Sequence, residues 1–169
     1  MSIRSILAVA ALVAGTAACA TGPAANYGPP PSSAFSAEAF GWSTLQGQAS
    51  IDGRVGYRRD GVVFGCTGSV ALTPDTPYTR ARFRTLYGST EQAAVPEAVV
   101  RARTVADPNA DYRSFVRAGT CADNRFNVSG LPDGGWFVIV PVSAGGDSER
   151  IVLMKRVETR GGRMITVSM

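Results

Sequence analysis

The chain contains no histidine. That removes Ser-His-Asp and Cys-His nucleophile arrangements, and every zinc site that relies on imidazole. Cysteine is scarce as well: Cys19, Cys66 and Cys121 are the three present. No two of them stand in a C-x-x-C spacing, so a thiolate metal site or dithiol redox motif is excluded. Lysine occurs once, at Lys155, so the positive charge is almost all arginine. The net charge of +4 is modest and argues against a nucleic-acid surface. Beyond the N-terminus no apolar run reaches the about 20 residues that a membrane-spanning helix needs. Neither a fixed-period repeat nor a long helical periodicity is visible there.

What is present begins with "MSIRSILAVAALVAGTAA". One positive charge at Arg4, an apolar core from Ile6 to Ala14 and then small residues make the layout of a secretory signal peptide over residues 1–18. Losing Arg4 with it leaves a charge of +3. Two processing routes fit. "TAAC" ending at Cys19 is similar to the lipobox of bacterial lipoproteins, with Thr16 in place of the usual Leu, Val or Ile. Cys19 would then carry the lipid anchor, a palmitate-type acyl chain included. The alternative is cleavage after a small-x-small pattern such as Ala18-Cys19-Ala20, giving a soluble periplasmic or secreted chain. Lipidation resolves the odd cysteine count, because Cys66 and Cys121 then remain as one candidate disulfide. Two separate buried thiols are the alternative for that pair.

Residues 19–46 are rich in Gly, Pro, Ser and Ala, and "GPPPSS" favours extended chain, as in a flexible tether. Near its end "SAEAFGWSTL" offers a short helical turn capped by Ser36, or packing of Phe40 and Trp42 on the domain. The folded domain is expected over residues 47–169. Ala49, Ile51, Val55 and Tyr57 give strand alternation, and "RDG" at 59–61 signals a turn. Val62 to Phe64, then Val70 and Leu72, form a glycine-interrupted strand closed by Pro74. Val99 to Val105 and Tyr112 to Val116 read as short strands. Phe126 and Val128 alternate, Leu131 to Gly135 turns, and Trp136 to Val142 is apolar on both faces. "RIVLMKRVETRGGRMITVSM" predicts a final hairpin turning at Gly161-Gly162. The fold class that follows is all-β: an antiparallel β-sandwich of about seven strands.

"TRARFRTLYG" also alternates. As a strand it puts Arg80, Arg82 and Arg84 in one row, a candidate anion-binding face. The plainer reading is an exposed strand guarded by charge. The carboxylates Asp107, Asp111, Asp123 and Asp133 are candidates for acid-base work or cation binding. "DPNAD" lacks the ligand series of a calcium loop and reads better as a turn. "NVS" at 127–129 fits a glycosylation sequon, incidental in a bacterial chain.

"IDGRVGYRRDGVVFGCTGSVALTP" followed by "RFNVSGLPDGGWFVIV" resembles carboxypeptidase regulatory-like domains, whose fold is a transthyretin-like (prealbumin-like) sandwich. Phe126, Val128, Leu131, Pro132, the glycine pair and Trp136 carry that likeness over about residues 47–142. The turn Asp133-Gly134-Gly135 is one residue longer than the family's. The resemblance implies a non-catalytic module. Related transthyretin-like hydrolases use His and a C-terminal Tyr-Arg-Gly-Ser, whereas this chain lacks His and ends in "ITVSM". The expectation is an outer-membrane lipoprotein of a Gram-negative envelope, facing the periplasm, since Ala20 rather than Asp follows Cys19. It would have no cofactor and no metal. Its partners would be the membrane, through the anchor, and an envelope protein or anionic glycan. The alternative function is small-ligand or anion binding through the three arginines.

Overall fold

The computed structural model describes residues 33–66, 68–105, 111–146 and 148–169. The signal, Cys19 and Asp107 lie outside the described residues. In chain order the strands are β1 (Ala49–Arg54), β2 (Arg58–Arg59), β3 (Val62–Val63), β4 (Gly65–Cys66), β5 (Ser69–Pro74), β6 (Gln92–Pro96), β7 (Arg117–Thr120), β8 (Arg125–Leu131), β9 (Gly134–Ser143), β10 (Arg150–Thr159) and β11 (Met164–Ser168). Helix α1 (Pro77–Tyr87) follows β5 and helix α2 (Glu97–Ala102) follows β6. Two 3₁₀ turns span Ala37–Thr44 and Tyr112–Phe115.

Two sheets form the sandwich. The small one runs β11-β1-β8, and the large one runs β6-β10-β9-β5-β7 with β4 also on β9. Alternation in the sequence sets what each strand buries. In β1, Ala49 and Ile51 are fully buried while Arg54 is exposed. Gly53 of β1 lies under the Phe126 ring, where a Cβ would sit 1.9 Å from a ring carbon. The inner faces meet through Ile51, Val128, Leu131 and Val167 on one side and Leu72, Trp136, Val138, Val140 and Leu153 on the other. Trp136 is fully buried despite the long turn before it. Its Nε1–H donates to Thr159 Oγ1 at 3.2 Å, which satisfies the one polar atom such a ring carries into a core.

β9 is apolar on its outer face too, and this decides the rest. Phe137 is fully buried there beside Met154. Helix α1 covers them: the Phe83 and Phe137 rings meet edge to face at 4.8 Å. Thr79, Phe83 and Tyr87, spaced i, i+4 and i+8, are the buried stripe of α1.

A strand was expected over α1, and a helix stands there. Thr76 caps it in a reciprocal box with Thr79, Pro77 opens it, and Gly88 ends it at φ 75°. Those end signals, with the i, i+4 stripe, outweigh a three-arginine alternation that is compatible with either period.

Other expectations change as well. Val99 to Ala102 are helical in α2. Tyr112 to Phe115 form a 3₁₀ turn, and the strand there begins only at Arg117. There are eleven strands among the described residues rather than about seven, partly because glycine breaks the 62–70 stretch into short pieces. β10 and β11 are not a hairpin. β10 pairs along its full length with β9, while β11 runs parallel to β1 in the other sheet. The Gly161-Gly162 link therefore crosses between sheets, and the Asp133 carboxylate accepts from both its N–H groups at 2.6 and 3.3 Å.

The folded body also starts before residue 47. Phe40 and Ser43 are fully buried, and the Trp42 ring meets Trp136 at 5.0 Å. Cys66 and Cys121 form the disulfide, with Cα atoms 6.2 Å apart, tying β4 to the end of β7. Asn124 Oδ1 accepts from the Cys66 N–H at 2.9 Å beside it.

Burial pushes the Tyr87 hydroxyl up to about 12, with Tyr112 adding to the rise and Arg82 opposing it. The folded chain keeps this proton after the unfolded chain has lost it, near the ordinary value of about 10. Stability from the neutral phenol is therefore complete below about pH 10 and is lost as pH rises toward 12. Urea denaturation at about pH 9 and about pH 11.5 is expected to cost the native chain about 2 kcal/mol more than Tyr87→Phe. Equal losses would contradict the buried phenol.

Candidate functional site

Because α1 is a helix, its three arginines part company. Residues i and i+4 share a face, so Arg80 and Arg84 lie together and Arg82 points away from them. Arg84 is exposed. Arg80 is bound to Asp75, with Nε and Nη2 donating to the two carboxylate oxygens at 2.5 and 2.7 Å. Arg156 of β10 donates to the same carboxylate from Nε at 2.6 Å. Hydrogen bonding to Asp75 holds the Arg80 guanidinium above its ordinary value. The Asp75 side chain is 2% exposed, so its charge is neutralised within the fold. Arg80 thus serves the junction of β5, α1 and β10. The expected row of three guanidinium groups does not exist.

Arg82 is placed differently. Its guanidinium lies 4.9 Å from the Tyr112 ring centroid, and Nη1 donates to the Tyr78 hydroxyl at a long 3.4 Å. Its Nε–H is buried and meets no hydrogen-bond partner among the described residues. A buried unmet donor on a cation is costly and asks for an acceptor. Beside it opens a hollow of about 340 Å³ lined by Ser33, Tyr78, Ala81, Arg82, Thr85 and Val105.

The aromatic wall behind the hollow comes from distant segments. Tyr78 at the start of α1 is 4% exposed. Phe35, at 5.6 Å, and Phe40, at 6.3 Å, reach it from the N-terminal side. Tyr112 comes from the 3₁₀ turn, at 5.8 Å. This wall fixes where the Tyr78 hydroxyl and the Arg82 guanidinium point. The arrangement offers a cation with an open donor, the hydroxyl-bearing Ser33, Tyr78 and Thr85, and apolar surface. Such a set can hold an anion through a charge-assisted hydrogen bond.

The carboxylates do not assemble a second centre. Asp111 is exposed at the head of the 3₁₀ turn. Asp123 sits in the tight turn before β8 at φ 51°, and Asp133 is used by the glycine link. Among the described residues no three His, Cys, Asp or Glu side chains stand close enough to hold a metal ion. No described helix is long and apolar enough to cross a membrane. Tyr78, Tyr112 and Phe35 were not read from the sequence as site residues. The signal that could have found Tyr78 was the Thr76-Pro77 helix start, which places it one residue inside α1.

The fold is an all-β sandwich with a helix laid on the outer face of its large sheet. No family model and no curated protein matches the chain. Among solved structures it is similar to a Pseudomonas aeruginosa protein described as a "putative carbohydrate binding protein". Identity is 21% and the TM-score 0.56, over 80% of this chain and 97% of that one. At that identity the likeness is one of fold.

Replacing Asp75 by Ala strands Arg156 and Arg80 at the junction. We expect a loss of about 2 kcal/mol in urea denaturation, the worth of hydrogen bonds between charged groups, since the two guanidiniums left behind reach solvent. Arg84→Gln is expected to stay within about 0.5 kcal/mol of the native chain. A neutral Asp75→Ala would show that the junction is held by packing alone.

Proposed function

We propose that this chain is a non-catalytic binding module of the bacterial envelope, whose sandwich holds an anionic glycan at Arg82. The observation that carries the reading is the buried Arg82 Nε–H without an acceptor, beside a hollow with aromatic and hydroxyl lining. A carboxylated sugar supplies an oxygen for that donor and hydroxyls that can donate to the Thr85 oxygen, whose own proton goes to the Ala81 carbonyl. The carbohydrate binding ascribed to the Pseudomonas protein is compatible with a glycan ligand, and the resemblance to carboxypeptidase regulatory-like domains with a non-catalytic module. Of the three arginines, only Arg82 lines the hollow.

The test is calorimetry with oligogalacturonate against a neutral oligosaccharide of equal length. The native chain is expected to bind the acidic glycan. Arg82→Gln should weaken it at least tenfold, the worth of a charge-assisted hydrogen bond, with an unchanged melting temperature. Arg84→Gln should bind like the native chain. Indifference to Arg82→Gln, or equal affinity for the neutral glycan, would rule the site out.

Localisation rests on Cys19. We propose that the mature chain begins there, acylated, and that the Pro-rich stretch after it spaces the sandwich from the outer membrane on the periplasmic side. Intact mass of the protein from its native membranes is expected to match a chain starting at Cys19 with added acyl groups. A soluble, unacylated chain would replace the anchor by a free periplasmic or secreted domain and leave the Arg82 reading standing.

A further inference from the structure

The sandwich is closed along one side and open along the other. At the closed side β7 meets β8 so tightly that a Cβ at Gly119 would lie 2.7 Å from a Val128 methyl. At the open side, between edge strands β6 and β11, there is a hollow of about 250 Å³. Lys155 lines it. In β10 the residues that face the core are Ile151, Leu153 and Val157. Lys155 falls on that same face by alternation, where an aliphatic side chain belongs.

The only lysine of the chain is therefore turned inward at the open mouth. Its ammonium donates to the Ser168 carbonyl of β11 at 2.9 Å. It has no side-chain carboxylate partner among the described residues, unlike the cations of another hollow. Arg101 and Arg150 there share Glu97. An ammonium carries three donors, so two remain after the Ser168 bond. Gln92 stands directly opposite Lys155 in the β6–β10 register. It lines the same hollow, as does Tyr57. The remaining walls are apolar, chiefly Ala94, Leu153 and Met169.

We infer that this inter-sheet mouth is a second ligand site, which takes a carboxylate borne on a short apolar body. The carboxylate meets the Lys155 ammonium and the Gln92 amide. The apolar body lies against Leu153, Ala94 and Met169, between the sheets. A guard against edge-to-edge pairing accounts for an inward lysine at a sheet margin. It does not account for the hollow beside the lysine, or for an ammonium that no described side-chain carboxylate meets at ion-pair distance. The site uses none of the residues around Arg82 and stands independently of that reading.

The probe is hexanoate, with hexanol as its uncharged match, added to the full chain and followed by amide resonances. Hexanoate is expected to shift Gln92, Ala94 and Met169 saturably, and hexanol to bind at least tenfold more weakly. Lys155→Gln should weaken hexanoate at least tenfold. That change also removes the clamp to Ser168, so Ala94→Phe provides a second arm: it fills the mouth, keeps the lysine and should block the shifts. Arg82→Gln should leave them intact. No saturable shift at these amides, equal binding of hexanol, or insensitivity to both mouth variants would overturn the site.

Discussion

The double-sided burial of β9 is the constraint on which the structure depends. Trp136, Val138 and Val140 fill the space between the sheets, and Phe137 is fully buried on the opposite face. A strand with one apolar face can be served by a second sheet. A strand with two needs a further layer, because leaving an aromatic ring of that size in water forfeits about 2–3 kcal/mol. Helix α1 is that layer. Asp75 fixes where it starts, since the same buried carboxylate binds Arg80 of α1 and Arg156 of β10, and its own N–H donates to the Gly135 carbonyl at 2.8 Å.

The candidate site is a by-product of that cover. Once Thr79, Phe83 and Tyr87 face the sheet, helical geometry turns Arg82 toward the aromatic wall of Phe35, Tyr78 and Tyr112. The three arginines then divide by environment rather than by sequence. Arg80 is consumed in an ion pair, Arg84 is exposed, and Arg82 is the one held with a buried donor to spare. Burial with aromatic support keeps that guanidinium oriented. A surface arginine on a long free stem would first have to lose that freedom on binding.

Most of the sandwich was legible in the sequence because strand alternation is a local signal. Ala49-x-Ile51, Phe126-x-Val128 and the Trp136–Val142 run bury the residues the pattern predicts. Counting made Cys66 and Cys121 a candidate pair, with two separate thiols as the alternative, and the structure joins them. Three features were not legible, each for a different reason. In α1, an Arg-x-Arg-x-Arg alternation gives a period of two over a stretch where the apolar residues and the caps obey the helical period. At Gly161-Gly162 the turn signal is genuine, but whether a turn joins neighbours in one sheet or crosses to the other depends on distant partners. β11 finds its partner in β1, more than a hundred residues earlier. The aromatic wall around Tyr78 joins segments near residues 35, 78 and 112, which no local pattern connects.

The central claim is that the Arg82 Nε–H is a donor awaiting a ligand oxygen. Side-chain nitrogen NMR on arginine-labelled protein reads that group directly. During titration with galacturonate oligomers, the Arg82 Nε–H resonance should move downfield and become protected from exchange, while those of Arg80 and Arg84 stay in place. An Arg82 resonance that does not move while the oligomer binds elsewhere, or no binding at all, would contradict the account.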